Sequence, residues 1–257
     1  MKGVEEYLSD NFKKRSMGIV CDFAKEIDKV YTAVFPTKEI LKKVMDYGAK
    51  NAMLFLHHPC IWDIRKAPKV FYQMDIDMLE KFKKSRVSIY NLYVPLDNHS
   101  EYSTSNTLVK ALDIEVIEPF AHYSGAINGV IGTTKCVNLI DLNKKLSSAL
   151  GHQTKCYSYG DSNIKDGKVA VIAGGGNDII FLKEMVENGV RVLITGISSE
   201  NDRYAKIYEF EIENNISLLG GTHYSTEKFA YIKMCNYFEQ FGLKSEFIEG
   251  EAIYEDM

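Results

Sequence analysis

The chain has 257 residues, and 31 Lys and Arg against 35 Asp and Glu leave a formal charge of −4. With 46% apolar, 26% charged and 12% aromatic residues it has the make-up of a folded protein with a sizeable core, so a disordered, collagenous or coiled-coil chain is excluded, and at roughly 150 residues per domain one large or two small domains are expected. The lack of a basic block argues against nucleic acid or an anionic membrane as a partner, and Cys21, Cys60, Cys136, Cys156 and Cys235 form no CxxC pair; together with an acidic start (MKGVEEYLSD) and no apolar run near the ~18 residues of a span, this predicts a cytoplasmic protein.

Residues 29–35 (KVYTAVF) are rich in β-branched and aromatic side chains and read as a strand, after which Pro36 and Thr37 supply a stop and a helix N-cap before EILKKVMDYGA. Residues 51–56 (NAMLFL) are a short apolar run of the kind buried on both faces of a parallel sheet. A helix is predicted over 70–85, where Phe71, Met74, Met78, Leu79 and Phe82 recur at three- and four-residue spacing, and a strand over 87–94 (VSIYNLYV). After a short helix over 106–112, the glycine-containing stretch 121–132 lacks periodicity and is read as a domain boundary. The alternation then resumes with strand 168–173, a triple-glycine turn, helix 178–188, strand 190–195, helix 200–214 with Tyr204, Ile207, Tyr208 and Ile212 on one side, strand 216–219 and helix 222–241. Strands separated by helices throughout mean an α/β protein.

Three constellations can carry chemistry. In LFLHHPCIWD, His57 and His58 stand at the carboxyl end of a predicted central strand, where loops of open α/β sheets line ligand crevices. Neighbours on an extended chain point opposite ways, so both can serve one site only where the strand breaks, and Pro59 supplies that break. Asp97 follows VSIYNLYVPL at an equivalent strand end, though an Asp after a Pro-Leu is more often a turn or capping residue. In GGTHYSTE, His223 and Glu227 stand four apart at a helix start and share a face, as two ligands of one metal do; a capping Thr222 with a solvated Glu227 is the plainer reading of that segment alone. Together they form an inventory of three imidazoles and two carboxylates suited to a pair of Zn, Mn, Fe, Co or Ni ions without choosing among them. Two divalent ions against two carboxylates leave about +2, which attracts an anionic ligand.

These residues, in this order, resemble the dinuclear metal-centre proteins called NGG-interacting-factor-like, often labelled GTP cyclohydrolase I type 2 homologues. The resemblance runs from SDNFKKRSMGIVCDF through LFLHHP, the strand ending in PLD, VAVIAGGG and VLITG to GGTHYSTE. It implies that the metal ligands are His57, His58, Asp97, His223 and Glu227. It also implies two α/β lobes with mixed or mostly parallel sheets, a first lobe of residues 1–124 plus 221–257 and a second of 125–220, a metal pair between them, and a ring-shaped homohexamer. The chain departs from the family pattern at Tyr93, where a histidine is usual, at Ile197, Glu200 and Asn201 after VLITG, and at Asn106-Thr107, where Asn-Asp is expected. Such positions tune a metal centre without abolishing it. The leading expectation is a metal-dependent hydrolase acting on a small anionic or nucleotide-like substrate; the competing one is a non-catalytic metal-binding, metal-handling or regulatory ring protein.

Other candidates are weaker. His99 is read as a loop histidine with a possible proton-shuttle role, His122 and His152 as structural, Cys60 as a buried small apolar residue, and Trp62 and Asp63 as packing or entrance residues. AGGGND has Ile179 where a GxGxxG motif needs its last glycine, so close strand-to-helix packing explains the glycines better than a dinucleotide site. Neither a GxSxG elbow nor a GxxxxGK[ST] loop is present, which disfavours nucleophilic-serine and P-loop chemistry.

Overall fold

The computed structural model describes residues 4–15, 17–60, 74–199 and 205–257. In chain order its elements are α1 (Asp10–Arg15), β1 (Gly18–Cys21), β2 (Lys29–Ala33), α2 (Lys38–Asp46), β3 (Ala52–Leu56), α3 (Ile76–Ser85), β4 (Val87–Asn91), α4 (Val94–Asp97), α5 (Thr104–Ala111), β5 (Glu115–Tyr123) and β6 (Ala126–Thr133). There follow α6 (Leu139–Leu150), β7 (Lys155–Tyr157), β8 (Lys168–Ile172), α7 (Ile179–Glu187), β9 (Val192–Thr195), α8 (Ala205–Glu213), β10 (Ser217–Gly220), α9 (His223–Glu239) and β11 (Lys244–Phe247). The chain divides into two compact units, Met1–Pro95 with Tyr231–Glu251 and Leu96–Ala230 with Ala252–Met257.

The first unit holds a five-stranded sheet of order β1-β4-β3-β2-β11, in which β4, β3, β2 and β11 run parallel and β1 pairs antiparallel to β4. The apolar run 51–56 becomes the middle strand β3, its Leu54 and Leu56 buried in a core with Tyr31, Ile89, Leu79 and Phe82. Helix α2 presents Ile40, Leu41 and Val44 to that core, and Thr37 caps it as its sequence predicts, accepting from the Ile40 N–H at 3.3 Å. Of the helix predicted over 70–85, residues 70–73, with Phe71, lie outside the described residues. Helix α3 starts later than its apolar spacing suggests, because the Asp75 carboxylate accepts the Met78 N–H at 2.8 Å and caps it there, leaving Met74 ahead of the first turn.

The second unit carries a six-stranded sheet, β5-β6-β8-β9-β10-β7, with β8, β9 and β10 parallel and the flanking strands antiparallel. Alternate residues of its central strands enter two separate cores: Val171, Ile194 and Leu219 on one face with Leu108, Leu142 and Leu146, and Ile172, Leu193 and Leu218 on the other with Phe120, Phe181 and Leu182. Burial on both faces is why these strands read as unbroken apolar runs. The glycine-containing stretch 121–132 is not a connection, as its composition suggests. It forms the β5–β6 hairpin, whose turn residues Ser124 and Gly125 both have positive φ (50° and 83°), as a two-residue type I′ turn requires, and β6 continues the sheet onto β8. The units divide at Pro95/Leu96, Ala230/Tyr231 and Glu251/Ala252, whereas the composition and family pattern put the divisions at 124/125 and 220/221.

Of the helix predicted over 200–214, residues 200–204 lie outside the described residues, and α8 follows from Ala205. Helix α9 begins after Gly220-Gly221-Thr222. The Thr222 hydroxyl accepts the Ser225 N–H at 3.1 Å while the Ser225 hydroxyl accepts the Thr222 N–H at 3.0 Å, a reciprocal cap that makes His223 the first residue of the helix. Among the described residues no helix is long and apolar enough to cross a membrane.

Candidate metal centre

In the first unit, the β3 ladder runs one step past Leu56. His57 N–H donates to Ala33 O at 3.3 Å and His58 N–H to Val34 O at 3.2 Å, so both backbones are held before Pro59 ends the strand. The two imidazoles are fully buried and meet edge to face, ring centroids 4.6 Å apart. The Tyr93 ring lies 5.1 Å from each of them, and Phe35 stacks on His58 at 4.2 Å. His57 Nδ1 is 3.1 Å from the carbonyl oxygen of Leu92. A carbonyl can only accept, so Nδ1 carries a proton. A carbonyl orients metal-ligating histidines in this way. Tyr231 donates its hydroxyl to the same carbonyl at 3.2 Å.

In the second unit, His223 Nε2 and Glu227 Oε1 are 2.9 Å apart on the first turns of α9, the i, i+4 pairing their spacing predicts. Glu227 is buried rather than solvated. Gly174, just past β8, has φ +70°, and a Cβ on it would stand 2.2 Å from Glu227 Oε1 and 2.9 Å from His223 Nε2. Its N–H donates to Thr226 Oγ1 at 3.0 Å, so the triple-glycine turn serves close approach to α9, the packing reading of its sequence. Asp256 accepts the His223 N–H on Oδ2 at 2.9 Å, and burial, partly offset by that bond, pushes its carboxyl above the usual range. Asp97 is buried, its Oδ1 accepting the Thr104 hydroxyl at 2.8 Å.

The first unit thus brings the buried imidazoles of His57 and His58 together, and the second brings His223 onto the buried Glu227 carboxylate, with Asp97 in the same unit held by Thr104. Imidazole nitrogens and carboxylate oxygens, with no thiolate, fit a divalent transition ion or zinc. The carbonyl-held Nδ1 of His57 and the glycine that leaves the Glu227 carboxylate its space fit it as well.

His99 Nδ1 lies 3.1 Å from Asn106 Nδ2, which also donates to Ser100 O at 2.7 Å, and the Thr107 hydroxyl donates to Ser103 O at 2.9 Å, so the Asn106-Thr107 pair is engaged within its own loop and helix. The His122 side chain is exposed beside Glu184, and His152 packs against Tyr254. Trp62, Asp63, Glu200 and Asn201 lie outside the described residues. Cys60 and Cys21 are fully buried; burial raises the Cys60 thiol well above its ordinary value and Cys21 from 9.0 to about 12. The folded state thus keeps protons that the unfolded chain releases from about pH 9 upward, and the stability these thiols contribute is present below that pH and lost as pH rises toward the folded value. At pH 8, iodoacetamide is expected to label exposed Cys156 in the native protein and to reach Cys21 and Cys60 only after denaturation, as peptide mass mapping would record.

Sequence reasoning passed over Asp256, the Leu92 carbonyl and Tyr231. A carboxylate thirty-three residues beyond the histidine whose N–H it accepts has no local pattern to mark it.

A family model described as Duf34/NIF3 (NGG1p interacting factor 3) matches residues 9–252. A curated relative from Pyrococcus abyssi, named GTP cyclohydrolase 1 type 2 homolog, is 28% identical over 256 residues, covering 96% of this chain and 94% of its own. Among solved structures, a structural-genomics protein of unknown function, ybgI, superposes with a TM-score of 0.72 at 19% identity over 91% of this chain and 93% of its own. TTHA1606 from Thermus thermophilus does so with a TM-score of 0.70 at 18% identity over 94% and 92%. At these identities the structures are alike in fold.

Proposed function

The chain belongs to the Duf34/NIF3 family, and from that membership we propose that it is a dinuclear divalent-metal protein, a metal-dependent hydrolase of small anionic or nucleotide-like molecules, with His57, His58, Asp97, His223 and Glu227 as its ligands. The observation that supports the proposal is the pair of fully buried imidazoles of His57 and His58 meeting edge to face, with His57 Nδ1 oriented by the Leu92 carbonyl. His58 is held against Phe35, Asp97 is oriented by the Thr104 hydroxyl, and Glu227 is aligned by its contact with His223. When bound, the ions would supply Lewis acidity toward a phosphoryl or carbonyl oxygen and an activated water. The name of the curated relatives, GTP cyclohydrolase 1 type 2 homolog, supports a nucleotide-like substrate class. Assembly into a homohexamer in the cytoplasm belongs to the same proposal.

A second reading, a non-catalytic metal-handling or regulatory ring protein, draws on Tyr93, whose ring packs on both histidines at the position where family members carry another imidazole. Elemental analysis of purified protein followed by a hydrolase panel containing nucleoside triphosphates separates the two. The proposal expects about two ions per chain and a turnover that chelation and His223→Ala both abolish. Turnover that survives chelation contradicts it, and bound metal without turnover of any substrate favours the second reading.

A further inference from the structure

The segment after β11 returns to the second unit and is tied down there at several points. Ser198 and Ser199 both donate their N–H groups to Asp256 O, at 2.7 and 2.9 Å. Lys155 Nζ donates to Met257 O at 2.7 Å, and the Tyr254 ring meets His152 edge to face at 5.5 Å. With its main chain held by two amides, Asp256 has little freedom, and its side chain is directed at the start of α9: Oδ2 accepts the N–H of His223, the first residue of that helix, at 2.9 Å.

The first four N–H groups of a helix have no partner inside it. Thr222 answers for Ser225 through its hydroxyl and for Thr226 through its carbonyl, but the N–H of His223 is met by a carboxylate that arrives from thirty-three residues away. A negative group at this end also suits the helix dipole. The consequence falls on one residue in particular. A side chain at the first position of a helix can swing with its backbone when that end frays, and here the side chain is His223, whose Nε2 must stay at 2.9 Å from Glu227 Oε1 to keep the pair on one face. The cap acts on the backbone of a metal-ligand candidate and not on its ring.

We infer that Asp256 is a positioning residue for the metal centre: the terminal segment pins Asp256, and Asp256 pins the backbone of His223 so that its imidazole and the Glu227 carboxylate are preset side by side for the metal pair. This inference rests on the proposed metal-binding function. It assigns a role to a residue outside the ligand set and makes the segment 252–257 part of the centre's support rather than a passive extension.

The test compares Asp256→Ala with Asp256→Asn, which keeps a carbonyl oxygen able to accept the same N–H. Two readouts are needed: hydrogen exchange at the His223 amide in metal-free protein, and zinc affinity in competition with a calibrated chelator. In Asp256→Ala the amide should exchange about tenfold faster or more and zinc affinity should fall by about 10- to 100-fold, the usual range for a supporting residue of a metal site. Asp256→Asn should restore both to within about threefold of the original. Unchanged protection of the His223 amide in Asp256→Ala overturns the cap; lost protection with unchanged affinity overturns the positioning role. An original protein that takes up no zinc or other divalent ion overturns the proposed function itself, and the positioning role with it, a result distinguishable from the other two because it requires no variant.

Discussion

Replacing His57 by alanine is expected to weaken divalent-metal binding by more than about 100-fold, beyond the ~10–100-fold that removal of a supporting residue costs, while the fold persists. The two effects separate because of what His57 leaves behind. Its imidazole is fully buried and lies against the Leu92 carbonyl, which the Tyr231 hydroxyl also satisfies, so truncation does not orphan that oxygen. The lost packing against His58, Tyr93 and Tyr231 costs on the order of 1–3 kcal/mol by the costs of other large-to-small changes. That is a small part of the stability of a chain this long and should appear as a modest fall in Tm. Calorimetric metal titration of His57→Ala beside the original protein gives the first number and thermal unfolding of the metal-free forms the second. Similar metal affinity in the two proteins would remove His57 from the ligand set.

The second large effect is expected at Gly174. Alanine there meets two separate costs. The backbone sits at φ +70°, a left-handed conformation that costs a side-chain-bearing residue roughly 1–3 kcal/mol, and the new Cβ would lie 2.2 Å from Glu227 Oε1, far inside contact distance. The carboxylate must swing away, leaving its contact with His223. Gly151→Ala provides the control, because Gly151 has φ +81° in the same unit with nothing within 4 Å of its added Cβ and therefore bears the backbone cost alone. The prediction is that Gly151→Ala lowers Tm by a few degrees at unaltered metal affinity, whereas Gly174→Ala lowers Tm by at least as much, about 2–4 °C per kcal/mol, and metal affinity by tenfold or more. Equal metal affinity in the two variants would mean that the Glu227 carboxylate is not held where the centre needs it.

Much of the architecture could be read from the chain because its signals are local. The runs that became β3, β8 and β9 are apolar on both faces and bounded by helices with a 3.6-residue period, which is what a parallel sheet covered on both sides demands. The ends of those strands then indicated where chemistry belongs, and the HHP break was legible because proline has a fixed mechanical effect. The hairpin of β5 and β6 was not legible. Its outer strand exposes Val116, Ile117 and Tyr123 and so lacks an alternating pattern, and its glycines resemble a linker until Ser124 and Gly125 are seen at positive φ. Helix α6 did leave a trace, with Leu139, Leu142, Leu146 and Leu150 all buried at helical spacing, a pattern sequence inspection passed over.

At the candidate site the residue types could be read and their supports could not. His57, His58 and Glu227 are chemically conspicuous, and two of them are adjacent. The Leu92 carbonyl that orients the His57 imidazole is a backbone atom, invisible to any pattern of side chains, and Asp256 reaches its partner only because the chain returns after β11. Supporting contacts of this kind join parts of the chain with no periodic relation to one another, so sequence spacing carries no record of them.

The most direct measurement is an anomalous-difference map from crystals grown without added metal, collected on either side of the absorption edges of zinc, iron, manganese, cobalt and nickel. The account predicts a peak bonded to His57 Nε2, His58 and the Glu227 carboxylate, with a second beside it reached by Asp97 and His223. A map without a peak at these five side chains, in crystals that remain empty there after soaking with zinc or manganese, would contradict it.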